Sequence, residues 1–154
     1  MQFVIDEQHV LIEVSSPLYN VIGFESEPST PEQLAIFQKQ LDAIDRGELL
    51  RFNPEAGCQL KNKTVDNPFP KMKAHDHAVH EHSHDDHKHP LEQGHTNLSF
   101  EYQLHCQNPE QLTQLDTQPL FKAWMNLQTL RIEWIYQNQQ SAKDLDRNQP
   151  VLLF

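Results

Sequence analysis

Histidine is concentrated in one internal stretch of this sequence, and imidazole is a side chain that binds metals. Residues 75–89 carry seven histidines, with four carboxylates between them. Neutral imidazole is the commonest nitrogen ligand for zinc and similar divalent metals, and carboxylates add oxygen ligands and lower the local charge. Together with one further histidine, the stretch has enough donors for about two tetrahedral zinc sites. The predicted ligands are His75, His77, His80, His82, His84, His87, His89 and His95.

This donor set favours zinc but is also compatible with other metals. Copper binds nitrogen ligands more tightly than zinc in the Irving–Williams order, and nickel is also compatible, so Ni²⁺ and Cu²⁺ are alternatives in vitro. No Met or Cys lies within residues 75–89, which argues against a dedicated Cu(I) carrier. Ordering an exposed segment costs about 1–2 kcal/mol per residue. We therefore expect moderate affinity and fast exchange, which suit capture and hand-off of a metal better than catalysis.

A histidine-rich stretch is also compatible with a solvated linker, a pH-responsive segment or an engineered tag. A tag is usually terminal and uninterrupted, whereas this stretch is internal and mixed with Asp and Glu. A mobile segment also couples poorly to any two-state element that protonation could shift. Metal binding is therefore the favoured interpretation. His9 and His105 lie in predicted strands on the less apolar face, where we expect solvent-facing or hydrogen-bonded histidines and not ligands.

The two cysteines allow two interpretations. Cys58 and Cys106 lie in separate predicted strands on either side of the histidine-rich stretch, and neither belongs to a CxxC pair. They are either two buried free thiols or a disulfide that closes the base of the histidine loop. We favour the disulfide, which implies an oxidising compartment.

Composition excludes several classes of protein. The 154 residues have the length of one domain, and the formal net charge of -10 argues against nucleic acid and for cations as partners. No stretch approaches the roughly 18 apolar residues of a membrane span, and we expect no signal peptide within this sequence. The motif GxSxG is absent, and the 4 glycines form no phosphate-binding loop. We predict that the protein is not an enzyme and does not insert into a membrane.

The first half of the chain is predicted to contain a hairpin, an apolar connection and a helix. Alternating apolar residues predict a hairpin over residues 3–14, and residues 21–25 are predicted to be an apolar connection. A helix is predicted over residues 31–46, with Thr30 as its cap and Gly47 as its stop. Its apolar stripe consists of Leu34, Phe37, Leu41 and Ile44.

Further strands are predicted over residues 58–65, 96–106 and 130–136, with a final edge strand at 151–154. Asn108-Pro109-Glu110 resembles a helix start, and the polar segment between the last two strands is predicted to be a loop. A short helix is predicted to carry Leu120, Phe121, Trp124 and Leu127.

These elements predict an α+β fold: a mainly antiparallel sheet with two or three helices packed on one face and a disordered His-rich loop inserted between strands. We expect one domain over residues 1–154, with residues 71–94 as a mobile metal-binding loop.

Several short motifs surround the histidine-rich insertion. They are the run S-P-L-Y-N-V-I-G-F-E at residues 16–25, Gly57-Cys58, Phe100-x-Tyr102 leading to Cys106, Trp134, and the terminal Leu152-x-Phe154. With the insertion between them, these motifs resemble the ZrgA family of periplasmic zinc-uptake proteins of Gram-negative bacteria. The resemblance covers essentially the whole chain.

The resemblance implies an exported accessory protein that binds zinc and supports a high-affinity zinc importer of the ABC class. It maps the family's ligands onto the seven histidines of residues 75–89, and its paired cysteines onto Cys58 and Cys106. Family members usually carry a signal peptide and a histidine-containing segment before the first strand. This chain begins too late to include them, so we expect a trimmed mature form located in the periplasm.

Three functions remain distinguishable at this point. The favoured one is capture of Zn²⁺ and its transfer to an ABC zinc importer or to the solute-binding protein of that importer. The second is a general buffer or detoxification protein for Zn, Ni or Cu without a transport partner. The third is a protein-interaction module in which the histidine loop is a passive linker.

Overall fold

The computed structural model describes residues 1–69 and 96–154 of the chain. Within these residues it contains nine strands and three α-helices, together with single 3-10 turns at Pro54–Ala56 and Pro109–Gln111. The elements are β1 (Gln2–Asp6), β2 (His9–Pro17), α1 (Leu18–Ile22), α2 (Pro31–Asp45), β3 (Arg51–Phe52), β4 (Cys58–Asp66), β5 (Asn97–Cys106), β6 (Gln114–Asp116), α3 (Gln118–Ala123), β7 (Thr129–Tyr136), β8 (Gln139–Asp146) and β9 (Val151–Leu153).

Six strands form one sheet in the order β4-β5-β2-β1-β7-β8. All neighbours in it are antiparallel except β1 and β7, which are parallel. The predicted opening hairpin is formed by β1 and β2 around a two-residue turn, in which Glu7 has a φ of 50°. The predicted α+β class with a mainly antiparallel sheet is confirmed.

The two faces of this sheet differ in burial because apolar and polar residues alternate along its strands. The inward face packs into one core that also contains buried residues from all three helices. The outward face is exposed or half-buried, and we call its central part the open face. The open face consists of Gln2, Val4 and Asp6 on β1, His9, Leu11, Glu13 and Ser15 on β2, and Ser99, Glu101, Gln103 and His105 on β5.

Helix α2 agrees with its predicted ends but not with its predicted stripe. Thr30 and Gln33 form a reciprocal capping box at its start, and Gly47 follows its end with a φ of 69°. The buried side chains are Phe37, Gln40 and Ile44. Leu34 was predicted to be in the stripe but is 41% exposed, because the core lies beside the middle and the end of the helix and not beside its first turn.

Strand β8 occupies a segment that the sequence predicted to be a polar loop, so that prediction was wrong. Gln137 and Asn138 have φ values of 51° and 60°, which allow a tight turn that folds β8 back onto β7. Its eight residues are all exposed except Leu145. Backbone hydrogen bonds to β7 therefore define this edge strand, and its side chains give little hydrophobic signal.

Three short elements also differ from the prediction. Residues 18–22 form helix α1, where an apolar connection was expected over residues 21–25, and Pro109 starts only a 3-10 turn. Helix α3 ends at Ala123, so Leu127 lies beyond it. The final edge strand is confirmed as β9, but it belongs to a second sheet in the order β3-β6-β9, whose first two strands were not predicted.

Candidate metal-binding region

The predicted metal ligands belong to an insertion between β4 and β5. His75, His77, His80, His82, His84, His87, His89 and His95 all fall within residues 70–95, outside the described residues. The described residues on either side fix where this insertion leaves the folded body and where it returns.

Both flanks of the insertion are attached to helices. The Phe69 ring lies 5.8 Å from the Phe37 ring of α2, and the Phe69 amide donates a hydrogen bond to the Asn67 side chain. On the returning side, the Leu18 amide at the start of α1 donates to the Thr96 carbonyl at 2.8 Å. The histidine-rich segment is therefore tethered at both ends to the same part of the body.

Cys58 and Cys106 are joined by a disulfide, which confirms the favoured interpretation over free thiols. The two residues face each other across β4 and β5. The prediction that the disulfide closes the base of the histidine loop needs a correction. The insertion leaves beyond the pair Asp66 and Ser99, at the other end of these strands. The disulfide thus fixes the far end of the strand pair that carries the insertion.

An acidic cleft of about 390 Å³ lies on the open face toward the insertion. Glu13 and Glu101 are directly opposite each other on β2 and β5, and Asp66 also lines the cleft. Like charges at facing positions repel each other, and a nearby cation reduces this repulsion. The cleft therefore attracts cations. Gln103 offsets part of this repulsion by donating a hydrogen bond to Glu101 at 2.8 Å. Across residues 1–69 and 96–154, no group of three or more His, Cys, Asp or Glu side chains is arranged to hold a metal.

A second cleft, of about 660 Å³, lies between the helices and carries the opposite charge. Lys39, Arg46, Arg51 and Lys122 line it, and Arg46 pairs with Glu48 at 2.9 Å. Charge is therefore distributed unevenly on this acidic protein. Cations are favoured on the open face and disfavoured beside the helices.

His9 and His105 are the two histidines within the described residues, and both lie on the open face, as expected from their strand positions. They occupy facing positions on β2 and β5, with ring centroids 5.5 Å apart. The sequence placed each on the polar side of a strand. It gave no sign of their proximity, because they are far apart in the chain and only the strand register brings them together.

In the described ranges, none of the helices is long and apolar enough to cross a membrane. Comparison with known families finds a match to a model described as "ZrgA family zinc uptake protein", over residues 1–154. No match was found among curated proteins.

Proposed function

Because the chain belongs to the ZrgA family of zinc uptake proteins, we propose that it captures Zn²⁺ through its histidine-rich loop and delivers it to a zinc importer. Zinc is the cargo of this process. The observation that carries the proposal is the density of imidazoles over residues 75–89 in a chain whose family serves zinc uptake.

The folded body supports this role by anchoring the loop. Phe69 and Thr96 attach the two flanks to α2 and α1, so both ends of the loop are held by the folded body. The nearby carboxylates of Glu13, Asp66 and Glu101 raise the local concentration of cations. Multiple imidazoles at short spacing let an ion move between ligand sets, which favours transfer over storage.

We propose the periplasm as the compartment. A disulfide between Cys58 and Cys106 persists in an oxidising environment and is rare in reducing ones. The partner is an ABC-type zinc importer or its solute-binding protein. In this role the protein binds and transfers the ion and catalyses no reaction. That the protein is not an enzyme, and that it also binds Ni²⁺ or Cu²⁺ in vitro, stay predictions.

The first experiment is a chelator-buffered Zn²⁺ titration of the wild-type protein and of a variant that we call loop-Gln. Loop-Gln has the same length as the wild type. In it, Gln replaces eight histidines, which are His75, His77, His80, His82, His84, His87, His89 and His95. We expect the wild type to bind about two more zinc ions per chain than loop-Gln.

A matched control changes the charge of the same segment without removing imidazoles. It carries the four substitutions Asp76→Asn, Glu81→Gln, Asp85→Asn and Asp86→Asn. This control should retain the wild-type zinc stoichiometry with weaker affinity. Equal zinc binding by the wild type and loop-Gln would contradict the proposal.

Growth of the source bacterium with and without the protein distinguishes a role in zinc uptake from a role in zinc storage. A strain that lacks the protein should grow poorly when zinc is scarce, and the wild-type gene but not loop-Gln should restore growth. If the protein is needed only in zinc excess, a buffering or detoxification role replaces uptake.

A further inference from the structure

Contrary to the expectation from the sequence, we propose that His9 and His105 form an additional zinc site, located on the folded body and independent of the loop. The two residues are partners in the antiparallel register of β2 and β5. The Cys106 amide, which follows His105, donates a hydrogen bond at 2.8 Å to the carbonyl of Gln8, which precedes His9. His9 and His105 therefore form a non-hydrogen-bonded pair, the arrangement in which facing side chains approach most closely.

The distance between the rings matches the requirement of one shared metal ion. Two imidazoles that bind a tetrahedral zinc ion through Zn–N bonds of about 2.0–2.1 Å have ring centres roughly 5 Å apart. The His9 and His105 centroids are 5.5 Å apart, with an angle of 55° between the ring planes. This separation places both rings within reach of one shared ion.

The backbone that carries the two imidazoles is rigid. Nine residue pairs connect β2 and β5, and the disulfide from Cys58 to Cys106 lies immediately beside His105. Binding here does not require ordering of a segment, so the entropy cost that lowers the affinity of an exposed loop does not apply.

The site provides two protein ligands and leaves the other positions open. Asp6 is the neighbour of His9 on β1, and Gln59 is the neighbour of His105 on β4. Lys61 donates a hydrogen bond to the Gln59 side chain at 2.9 Å. The site therefore has a negative charge beside His9, from Asp6, and a positive charge near His105, from Lys61. No third His, Cys, Asp or Glu among the described residues completes the site. Water or a donor from a partner protein fills the remaining positions, and this openness lets the ion leave by ligand exchange.

Loop-Gln provides a clean test, because His9 and His105 are then the two histidines left of the 10 in the chain. Isothermal titration with Zn²⁺ should show one ion per loop-Gln chain, and the ring signals of both histidines should shift together in NMR spectra. Adding His9→Gln or His105→Gln should weaken binding at least about tenfold. The double substitution should be no worse than either one alone, since each ligand needs the other.

The matched control in the same background is Glu13→Gln with Glu101→Gln, on the same two strands and the same face. It should retain the zinc binding of loop-Gln, and the thermal unfolding of every variant should be compared to confirm that it is folded. The proposal is overturned if loop-Gln binds no zinc, if binding survives the double histidine substitution, or if the glutamate substitutions abolish it. All of these outcomes are measured in the absence of the loop histidines, so they test the His9 and His105 site alone. The proposed role of the loop is tested separately, and it fails if loop-Gln binds as many zinc ions as the wild type.

Discussion

The Tyr102 hydroxyl donates a hydrogen bond to the Ile44 carbonyl, 2.5 Å away, and so joins β5 to the last turn of α2. Tyr102 is 2% exposed. Burial raises the pKa of this phenol, and the negative charges of Asp45 and Glu48 raise it further. The strand that leads away from the insertion is therefore held to the helix by a group that must stay protonated.

Replacing Tyr102 with Phe should change the dependence of stability on alkaline pH. The pKa of Tyr102 is higher in the folded protein than in the unfolded chain, where it is about 10. The stability due to this group is present below pH 10 and is lost as the pH rises further. Tyr102→Phe should cost about 0.5–1.5 kcal/mol at pH 8 and show a smaller alkaline loss than the wild type.

Urea unfolding between pH 8 and 11 measures this effect. Tyr19→Phe is the control, because Tyr19 is 52% exposed. Equal alkaline slopes for the wild type and Tyr102→Phe would show that this phenol does not contribute to the pH dependence.

Removing the disulfide should destabilise the protein strongly. Cys58 and Cys106 are separated by 48 residues, and cross-linking a loop of that size lowers the entropy of the unfolded chain. Cys58→Ala with Cys106→Ala should therefore lower the free energy of unfolding by about 4 kcal/mol. Urea unfolding with and without a reductant provides the measurement. The reductant should destabilise the wild type and leave the double variant unchanged, and a similar response in both would count against the disulfide.

Leu145→Ala should reveal whether β8 contributes to the core. Leu145 is 1% exposed and faces Leu130 of β7. Truncating a buried leucine to alanine costs about 2–5 kcal/mol, because apolar contacts are lost and a cavity remains. Lys143→Ala, at an exposed position of the same strand, should change stability by less than about 0.5 kcal/mol. If thermal unfolding shows the same small effect for both, β8 is not packed as described.

Arg147→Lys should destabilise the protein although it keeps the charge. The Arg147 guanidinium donates to the Phe121 carbonyl at 2.6 Å, to the Trp124 carbonyl at 2.8 Å and to the Met125 carbonyl. It thereby satisfies three backbone acceptors at and just after the end of α3. A lysine has a single ammonium group, which cannot bond to all three carbonyls at once. The expected cost is about 1.5–3 kcal/mol in urea unfolding.

Arg131→Lys is the matched substitution for this prediction. The exposed Arg131 pairs with Glu133 at 3.1 Å and Asp144 at 3.5 Å, so its replacement should cost less than about 1 kcal/mol. Equal costs at the two positions would mean that capping of α3 by Arg147 adds nothing to stability.

The predictability of each element depended on where its stabilising interactions lie. The strands β2 and β5 were predictable because one face is buried and their apolar residues alternate. Helix α2 was predictable because its cap residues act within one turn. Strand β8 was not, because its pairing with β7 uses backbone atoms that every residue carries, and its side chains are almost all exposed.

The sequence by itself determined the chemistry available to this protein: an acidic chain, an internal segment dense in imidazoles, and two cysteines on strands. These are properties of composition and of short-range periodicity. The tertiary structure decided the strand register, and with it the facing of His9 and His105 and the position of the disulfide away from the insertion. Register depends on hydrogen bonds and burial between segments far apart in the chain, so a local pattern predicts which face a residue occupies but not which residue lies opposite.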